Sequence, residues 1–501
     1  MFCPLKQRDI DKMCGFPGKN VHMLAKFLKT ALLGVCILLA VLVALYAVSQ
    51  RWPIPDAERQ ALAQLRQPLQ PLRGPNMFAA LWSLSYAVPE AQRETVLAQD
   101  MERLNRLPRQ APFRRAAADY PRLPGWPATA PALCRAGAGG CLQRVREQPQ
   151  AYADALAAQA PMLARMRTLA HYTDYRNPLP PHAETLLPEL PRITLAMTAS
   201  ALAFAKGHTT QALSDVCTDA QVARVLLRSG DNLAITLIGA AMLRGDAQLF
   251  ADMLAELPAQ LPLPAHCAAA FAPAGMEERS LCNALHGESR RVFSMLQDAS
   301  VQQGDGDWLD RISPQLLDRE RTQALLAPTF TWACSAPVQA LLAQDQALPP
   351  GMVAEPDTAT VACVANAIGC LLANVARPDH ANHQHTLQDT AAAVRTVTAL
   401  LWLRDRPADT RPLAQRLADL PPALRGTTRP LQAQDDGKHL TIVQYARRKD
   451  GAGEYRWPVP ASRRAAERAT TSIQSRRDGR SLPMTRERAA TAQSAKRGPG
   501  D

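Results

Sequence analysis

Residues 26–50 read KFLKTALLGVCILLAVLVALYAVSQ, a run dominated by leucine, valine and alanine. Its central 18 residues, from Ala31 to Val48, carry no charge, and Gly34 is the only residue among them that weakens a helix. An α-helix of this length extends about 27 Å, and the addition of Phe27 and Leu28 makes it long enough to cross a bilayer. We therefore predict a transmembrane signal-anchor helix over residues 27–49, through which the protein contacts the membrane.

Two other interpretations of this run are weaker. A cleavable signal peptide could start at Met23 and end near Ser49, but the apolar part of such peptides is usually about 7–15 residues long. Cys36 could be the acylated residue of a lipoprotein, but Val35 precedes it where a small residue is expected. The sequence favours a retained anchor and leaves its cleavage open.

The charge of the chain is concentrated at its two ends. Residues 1–29 contain six basic and two acidic residues, and residues 461–501 contain ten basic and four acidic residues. The two ends thus hold +10 of the formal net charge of +12. Because the middle is nearly neutral, the pI of 9.4 does not indicate a basic nucleic-acid-binding domain, and we predict no nucleic-acid partner.

The basic residues before the apolar run also predict its orientation. By the positive-inside rule, the N-terminus stays in the cytoplasm and everything after Arg51 is exported. We predict a bacterial inner-membrane protein with a single span and with its bulk in the periplasm.

The composition favours helices. Hydrophobic residues make up 47% of the chain and aromatic residues only 5%, which is typical of a folded helical protein rather than a β-sandwich. Between Ile193 and Leu257, Gly207, Gly230 and Gly245 follow apolar runs and are predicted to end helices. We predict a mostly α fold, in which a single N-terminal transmembrane helix is followed by an irregular α-solenoid-like stack of helical hairpins.

The pattern changes near the C-terminus. Residues 439–445 are rich in β-formers, and residues 455–460 could pair with them as a small C-terminal β-hairpin. Beyond Ala461 the sequence is basic and lacks an apolar period, so we expect a disordered tail. The predicted segments are a cytoplasmic basic segment (1–26), the anchor helix (27–49), an N-terminal exported helical region (50–135), the main exported α-helical domain (136–435), a possible β-hairpin (436–460) and a disordered basic tail (461–501).

The cysteines agree with export. An even number of cysteines beyond an export signal suggests disulfide bonds, and CxxC motifs typical of zinc or thiol-redox sites are absent from the sequence. The eight disulfide candidates are Cys134, Cys141, Cys217, Cys267, Cys282, Cys334, Cys363 and Cys370.

The spacing of the cysteines bears on three possible pairings. Cys134 and Cys141 flank a glycine-rich loop and are predicted to form a disulfide. Residues 359–376 are predicted to form one helix, in which the Cys363 and Cys370 positions are about 10 Å apart, so each should find a partner elsewhere. Cys267 and Cys282 are separated by a turn-rich segment and could pair locally, which leaves Cys217 and Cys334 as candidate partners.

Potential metal ligands form two groups, and neither matches a known site. Asp305, Asp307 and Asp310 lie in a polar loop without the spacing of an EF-hand. His380 and His383, with His385, form the densest histidine group, but without an HExxH motif they are predicted to lie in a solvated interhelical loop. We predict no metal and no cofactor.

Catalytic motifs are also absent from the sequence, which contains no GxSxG, Walker or strand-linked GxGxxG pattern. His286 with Ser289, and His266 with Cys267, place a base next to a nucleophile, but a catalytic pair also needs a third, orienting group. We predict no catalytic residue and regard an enzymatic activity as uncertain and less favoured.

The sequence therefore predicts a non-catalytic, protein-binding scaffold of the bacterial cell envelope, with a protein partner in the same compartment. One alternative is a cell-envelope hydrolase with an unrecognised site in residues 260–370. The other is an anchored sensor or secretion accessory protein whose cytoplasmic residues 1–29 dock or signal.

Overall fold

A computed structural model describes residues 18–69, 71–107, 112–136, 139–180, 187–190, 194–298, 313–375, 379–406, 409–447 and 454–460. Most of these residues are helical, and a small antiparallel sheet lies near the C-terminus. The predicted aspartate loop of residues 305–310, the tail of residues 461–501 and the first 17 residues lie outside the described residues.

The helices follow one another in short segments, as the frequent prolines predict. In the first half of the chain they are α1 (Gly18–Arg51), α2 (Asp56–Leu65), α3 (Phe78–Trp82), α4 (Arg93–Arg106), α5 (Cys141–Glu147), α6 (Pro149–Ala157), α7 (Ala160–Thr168), α8 (Leu195–Ala205), α9 (Thr209–Leu227) and α10 (Leu233–Glu256). In the second half they are α11 (His266–Ala270), α12 (Met276–Arg279), α13 (Cys282–Asp298), α14 (Arg319–Thr331), α15 (Ala336–Ala343), α16 (Ala362–Ala365), α17 (Ala367–Val375), α18 (His380–Arg404), α19 (Leu413–Ala418) and α20 (Pro422–Arg425). Short 3-10 turns occur at Glu90–Gln92, Ala116–Asp119, Leu169–His171, Ser313–Leu316 and Trp332–Cys334.

The N-terminal helix α1 contains the predicted span and differs from every other long helix in its surroundings. Among the described residues, three segments are long and apolar enough to cross a membrane, namely Lys26–Arg51, Leu233–Glu256 and Arg319–Ala343. Protein buries 61% of the second window and 44% of the third, but none of the first. The apolar helix predicted over residues 27–49 is confirmed, and it is the candidate for a membrane segment.

The centre of the molecule is formed by α8, α9 and α10, which pack against one another in sequence. Gly207 ends α8 with a φ of 86°, as predicted. Gly245 was predicted to end a helix, but it lies inside α10. A Cβ at this position would lie 2.9 Å from Met197 Sδ and 3.2 Å from Ala136 Cα, so the glycine permits close packing rather than a turn.

Contacts between elements distant in the sequence close the helices into one body, by which we mean residues 52–460. Helix α10 packs on α18, and α2 packs on α14. The larger hydrophobic core consequently extends from Leu62 to Trp457. In a linear solenoid each hairpin contacts only its neighbours, so this packing goes beyond such a stack.

The C-terminal sheet has three short antiparallel strands in the order β1 (Gln432–Ala433), β2 (His439–Val443) and β3 (Glu454–Pro458). Leu440 pairs with Trp457, and both side chains are buried. The predicted pairing of two strands within residues 436–460 is confirmed. The sequence analysis missed β1, which is only two residues long.

Four disulfides connect the eight predicted cysteines, but only the first pairing was predicted. The bonds are Cys134–Cys141, Cys217–Cys267, Cys282–Cys334 and Cys363–Cys370. The predicted local pair of Cys267 and Cys282 is wrong because α11 packs on α9, which carries Cys217, and α13 packs on the turn that carries Cys334.

The prediction that Cys363 and Cys370 lie too far apart is also wrong. The predicted continuous helix is interrupted at Asn366, whose φ of −120° and ψ of 39° separate α16 from α17. This break brings the two Cα atoms to 5.8 Å, which is within the usual range for a disulfide.

A buried arginine attaches the sheet to the helices. Arg429, which is 2% exposed, forms ion pairs with Asp389 at 2.6 Å and Asp345 at 2.7 Å. Its guanidinium lies 4.0 Å from the ring centroid of Tyr445, and the Asp389 carboxylate accepts hydrogen bonds from the Tyr445 and Ala446 amides. The residues just after β2 are therefore fixed to α18 through a network of buried charges.

We predict that Arg429→Met lowers the free energy of unfolding by about 3–5 kcal/mol, because the buried Asp389 carboxylate loses its cationic partner and Asp345 keeps only Arg395. The control is Arg406→Met, which removes an exposed arginine stacked on Trp402. Urea unfolding of the purified chain in detergent measures both. A loss of less than about 1 kcal/mol at Arg429 would show that the ion pairs are not structural.

Candidate functional site

A groove crosses the body between three elements: the segment after α2, the segment around Tyr175, and the first turns of α13. Its main cavity has a volume of ≈ 550 Å³. Two further cavities of ≈ 300 Å³ and ≈ 350 Å³ continue it, since each shares lining residues with its neighbour. We refer to these three cavities together as the interhelical groove.

One wall of the interhelical groove is made by two extended segments that lie about a hundred residues apart. Asn76 and Asp174 form a parallel bridge, and the Asn76 side chain both donates to the Arg176 carbonyl at 2.8 Å and accepts from the Arg176 amide at 2.9 Å. Gly74 allows this approach, because a Cβ there would lie 2.1 Å from Thr173 Oγ1.

The floor of the interhelical groove is the turn between α9 and α10, and α13 packs against this turn. A Cβ at Gly287 would lie 2.2 Å from the Asp231 carbonyl oxygen and 2.3 Å from that of Gly230. Any side chain at position 287 would therefore push α13 away from the turn. The sequence analysis did not single out Gly287, because a glycine inside a helix has no spacing that identifies its partner.

Charged side chains line the groove along its length. The basic ones are Arg73, Arg176, Arg228, Arg290 and Arg291, and the acidic ones are Asp174, Asp231, Glu277 and Glu288. Arg73 pairs with Glu277 at 3.8 Å near the opening, where both side chains are more than half exposed. Arg228 is exposed and forms no ion pair with another residue that the structure describes.

Two buried polar groups lie at this surface. Burial raises the pKa of Asp231 to about 6, and the Asn177 amide and the Asn232 side chain donate to its carboxylate. Tyr175 is 4% exposed, and its hydroxyl has no hydrogen-bond partner among the described residues. Burial raises the pKa of Tyr175, so this buried hydroxyl stays protonated.

The two possible catalytic pairs, His286 with Ser289 and His266 with Cys267, do not have the geometry of a base and a nucleophile. His286 lines the groove, but its Nε2 lies 3.0 Å from the Leu65 carbonyl, to which it donates, and buried Ser289 donates to the His286 carbonyl rather than to the ring. Cys267 is bound to Cys217 in a disulfide and has no free thiol.

The three clustered histidines lie on α18 and not in a loop, which corrects the prediction. Asp379 caps the helix by accepting from the Asn382 amide, so the helix begins at His380. His380 is 4% exposed, and burial lowers its pKa to about 4. Within the described part of the chain, no group of three or more His, Cys, Asp or Glu side chains could hold a metal ion.

A pair of buried carboxyl groups that sequence analysis missed lies between α9 and α10. Asp219 and Asp246 lie within hydrogen-bonding reach of each other, and burial raises the pKa of Asp219 to about 7 and that of Asp246 well above its ordinary value. Neither Asp246 oxygen accepts a hydrogen bond from another described donor. The arrangement therefore requires at least one proton, because two facing carboxylates repel each other.

No protein-family profile, curated protein or solved structure matches the chain.

The Asp219–Asp246 pair predicts an unusual dependence of stability on pH. Since the folded chain keeps protons that the unfolded chain releases above about pH 4, stability falls as pH rises from about 4 to about 7 and beyond. We predict that Asp219→Asn removes much of this slope and raises the free energy of unfolding at pH 7.5 by roughly 2 kcal/mol.

Urea unfolding between pH 4.5 and 8 measures this effect, with Asp154→Asn on the exposed face of α6 as the control. An Asp219→Asn profile parallel to that of the wild type would contradict the shared proton.

Proposed function

We propose that this protein is a scaffold of the bacterial cell envelope, anchored in the inner membrane by α1. In this proposal the N-terminus is cytoplasmic and the body lies in the periplasm. Three observations support it: the unburied apolar surface of α1, the basic residues before it and the four disulfides after it. Disulfides persist in oxidising compartments such as the periplasm and are rare in the cytoplasm.

We further propose that the interhelical groove binds an extended segment of a partner protein. The single observation that carries this proposal is the run of three cavities between the helical hairpins, since a continuous channel suits a chain better than a compact small molecule. Arginine and tyrosine side chains are enriched where proteins bind each other, and the groove offers five arginines and Tyr175.

Arg228 indicates which kind of chemical group on the partner the groove would bind. Its exposed guanidinium is not used by any described carboxylate, so it suits an acidic side chain or a chain terminus of the partner. A scaffold needs no catalytic group. The His286 ring, the possible base in the groove, already donates its hydrogen bond to the Leu65 backbone carbonyl.

The hydrolase with a site in residues 260–370 and the anchored sensor stay as alternatives. The hydrolase would use the groove residues Glu277 and His286, which lie in that range. The sensor would depend on residues 1–29.

We predict that a photo-crosslinking amino acid at Arg73, at the groove opening, captures a defined envelope protein in intact cells. Adding Arg228→Glu should lower the yield of that product by roughly fivefold or more, because the new charge repels the acidic group of the partner. Arg106→Glu, a charge reversal at another exposed arginine, on α4, is the control and should leave the yield unchanged.

Protein abundance and disulfide content must stay the same in all variants, so that a loss of folding is recognised. An unchanged yield in Arg228→Glu, or the same product from a crosslinker at Gln150 on α6, would refute binding in the groove.

A further inference from the structure

We propose that α16 and α17 form a second membrane contact, in which their apolar side chains enter the leaflet that the C-terminal end of α1 reaches. This inference rests on the proposed anchoring of α1. The proposed occupant of their exposed apolar face is the lipid bilayer.

The position of α16 relative to α1 is fixed by hydrogen bonds. Ser49, at the end of α1, is fully buried; its hydroxyl donates to the Ala362 carbonyl at 3.1 Å and accepts from the Ala365 amide at 2.8 Å. One turn earlier, the Tyr46 hydroxyl donates to the Gln315 carbonyl at 3.0 Å. Helix α16 therefore lies beside the last turn of the apolar helix, at the level where a transmembrane helix leaves the hydrocarbon.

Body side chains strengthen this attachment. Arg321 on α14 donates to the Ser49 carbonyl at 3.0 Å and also binds the Gln50 carbonyl. These contacts satisfy carbonyls at the C-terminal end of α1 that would otherwise lack partners. The body is thus held close to the plane in which α1 ends.

The outer side of this element is apolar. Val361, Val364, Leu371, Leu372 and Val375 are exposed by 38%, 41%, 61%, 39% and 76%. Leu371 and Val375 are four residues apart on α17, so they lie on the same face. Outside α1, these five account for more than half of the large exposed hydrophobic residues in the described part of the chain.

The inner side of the same element packs on the body through small buried residues, among them Ala365, Cys370 and Ala373, and through one polar side chain. The Asn366 side chain, between the two helices, accepts hydrogen bonds from the Asp318 amide at 2.8 Å and from the Thr322 hydroxyl at 3.1 Å. The Cys363–Cys370 disulfide closes the turn around it. The element therefore has one face held by the body, one exposed apolar face, and a turn closed by a covalent bond.

The sequence contains no charged residue between Thr358 and Ala376, and it resumes charge on both sides with Asp357 and Arg377. An uncharged, apolar-faced element with charges at its borders is what partial insertion into the interface requires, because the charges stay in water. Continuity with α1 favours lipid over a protein partner, since any partner on this face would have to lie among the lipid headgroups.

The test uses the full chain reconstituted into liposomes of phosphatidylethanolamine and phosphatidylglycerol. Leu371→Trp adds a fluorophore at the proposed contact, and Gln150→Trp adds one on the exposed face of α6. For each variant, the tryptophan emission in excess of the wild-type emission is measured in liposomes of ordinary lipid and in liposomes with brominated acyl chains. Brominated chains quench the tryptophans that they contact. Flotation of the wild type with the liposomes separately reports whether α1 anchors the chain.

We expect the added emission of Leu371→Trp to be quenched by about half or more, and that of Gln150→Trp by less than about a tenth, because only the former reaches the acyl chains. A protein that floats but shows no quenching at position 371 would overturn this inference and leave the anchor intact. A protein that does not float would overturn both. Loss of quenching at high protein-to-lipid ratios, together with crosslinked dimers, would instead assign this face to a second copy of the chain.

Discussion

The apolar side chains of α1 have almost no protein against them, and the arrangement of the whole chain follows from that. The exposure of its large apolar side chains lies between 72% at Phe27 and 43% at Leu45. Exposure of so large an apolar surface to water is unfavourable, which makes α1 the candidate for a membrane segment. The other two long apolar segments, Leu233–Glu256 and Arg319–Ala343, are 61% and 44% buried and pack their apolar faces within the body.

The body is organised by contacts that bridge long stretches of sequence. Disulfides join α9 to α11 and α13 to the turn after α14, and Arg429 fixes the segment after β2 to α18. These links reinforce one core rather than a chain of independent hairpins. The interhelical groove is a consequence of this closure, because its walls come from segments that meet only when distant elements pack together.

The sequence was sufficient for features set by local composition. The apolar period of α1, the β-formers near His439 and the glycine-rich loop between Cys134 and Cys141 each act over a few residues, and each prediction is confirmed. Two predictions failed where one residue changed the local path of the backbone. Asn366 breaks a helix that the pattern predicted as continuous, and the Asp379 cap starts a helix where a histidine-rich loop was expected.

The groove could not be predicted, since its geometry depends on non-local contacts. Gly74 and Gly287 permit close approaches to Thr173 and to the Asp231 backbone, and a single sequence gives no sign of either partner. The close approach of the Asp219 and Asp246 carboxyl groups likewise depends on how α9 and α10 pack against each other. The charge distribution and the number of cysteines, in contrast, follow directly from the sequence, because they depend on composition and order alone.

The central claim is that α1 separates a reducing side from an oxidising side, with the body on the latter. Thiol alkylation of intact, rapidly quenched cells, followed by mass spectrometry of the full chain, tests it directly. We expect Cys3, Cys14 and Cys36 to be alkylated and the eight cysteines of the body to remain paired as four disulfides. Alkylation of all 11 cysteines in the unperturbed cell would place the body in the cytoplasm and contradict the account.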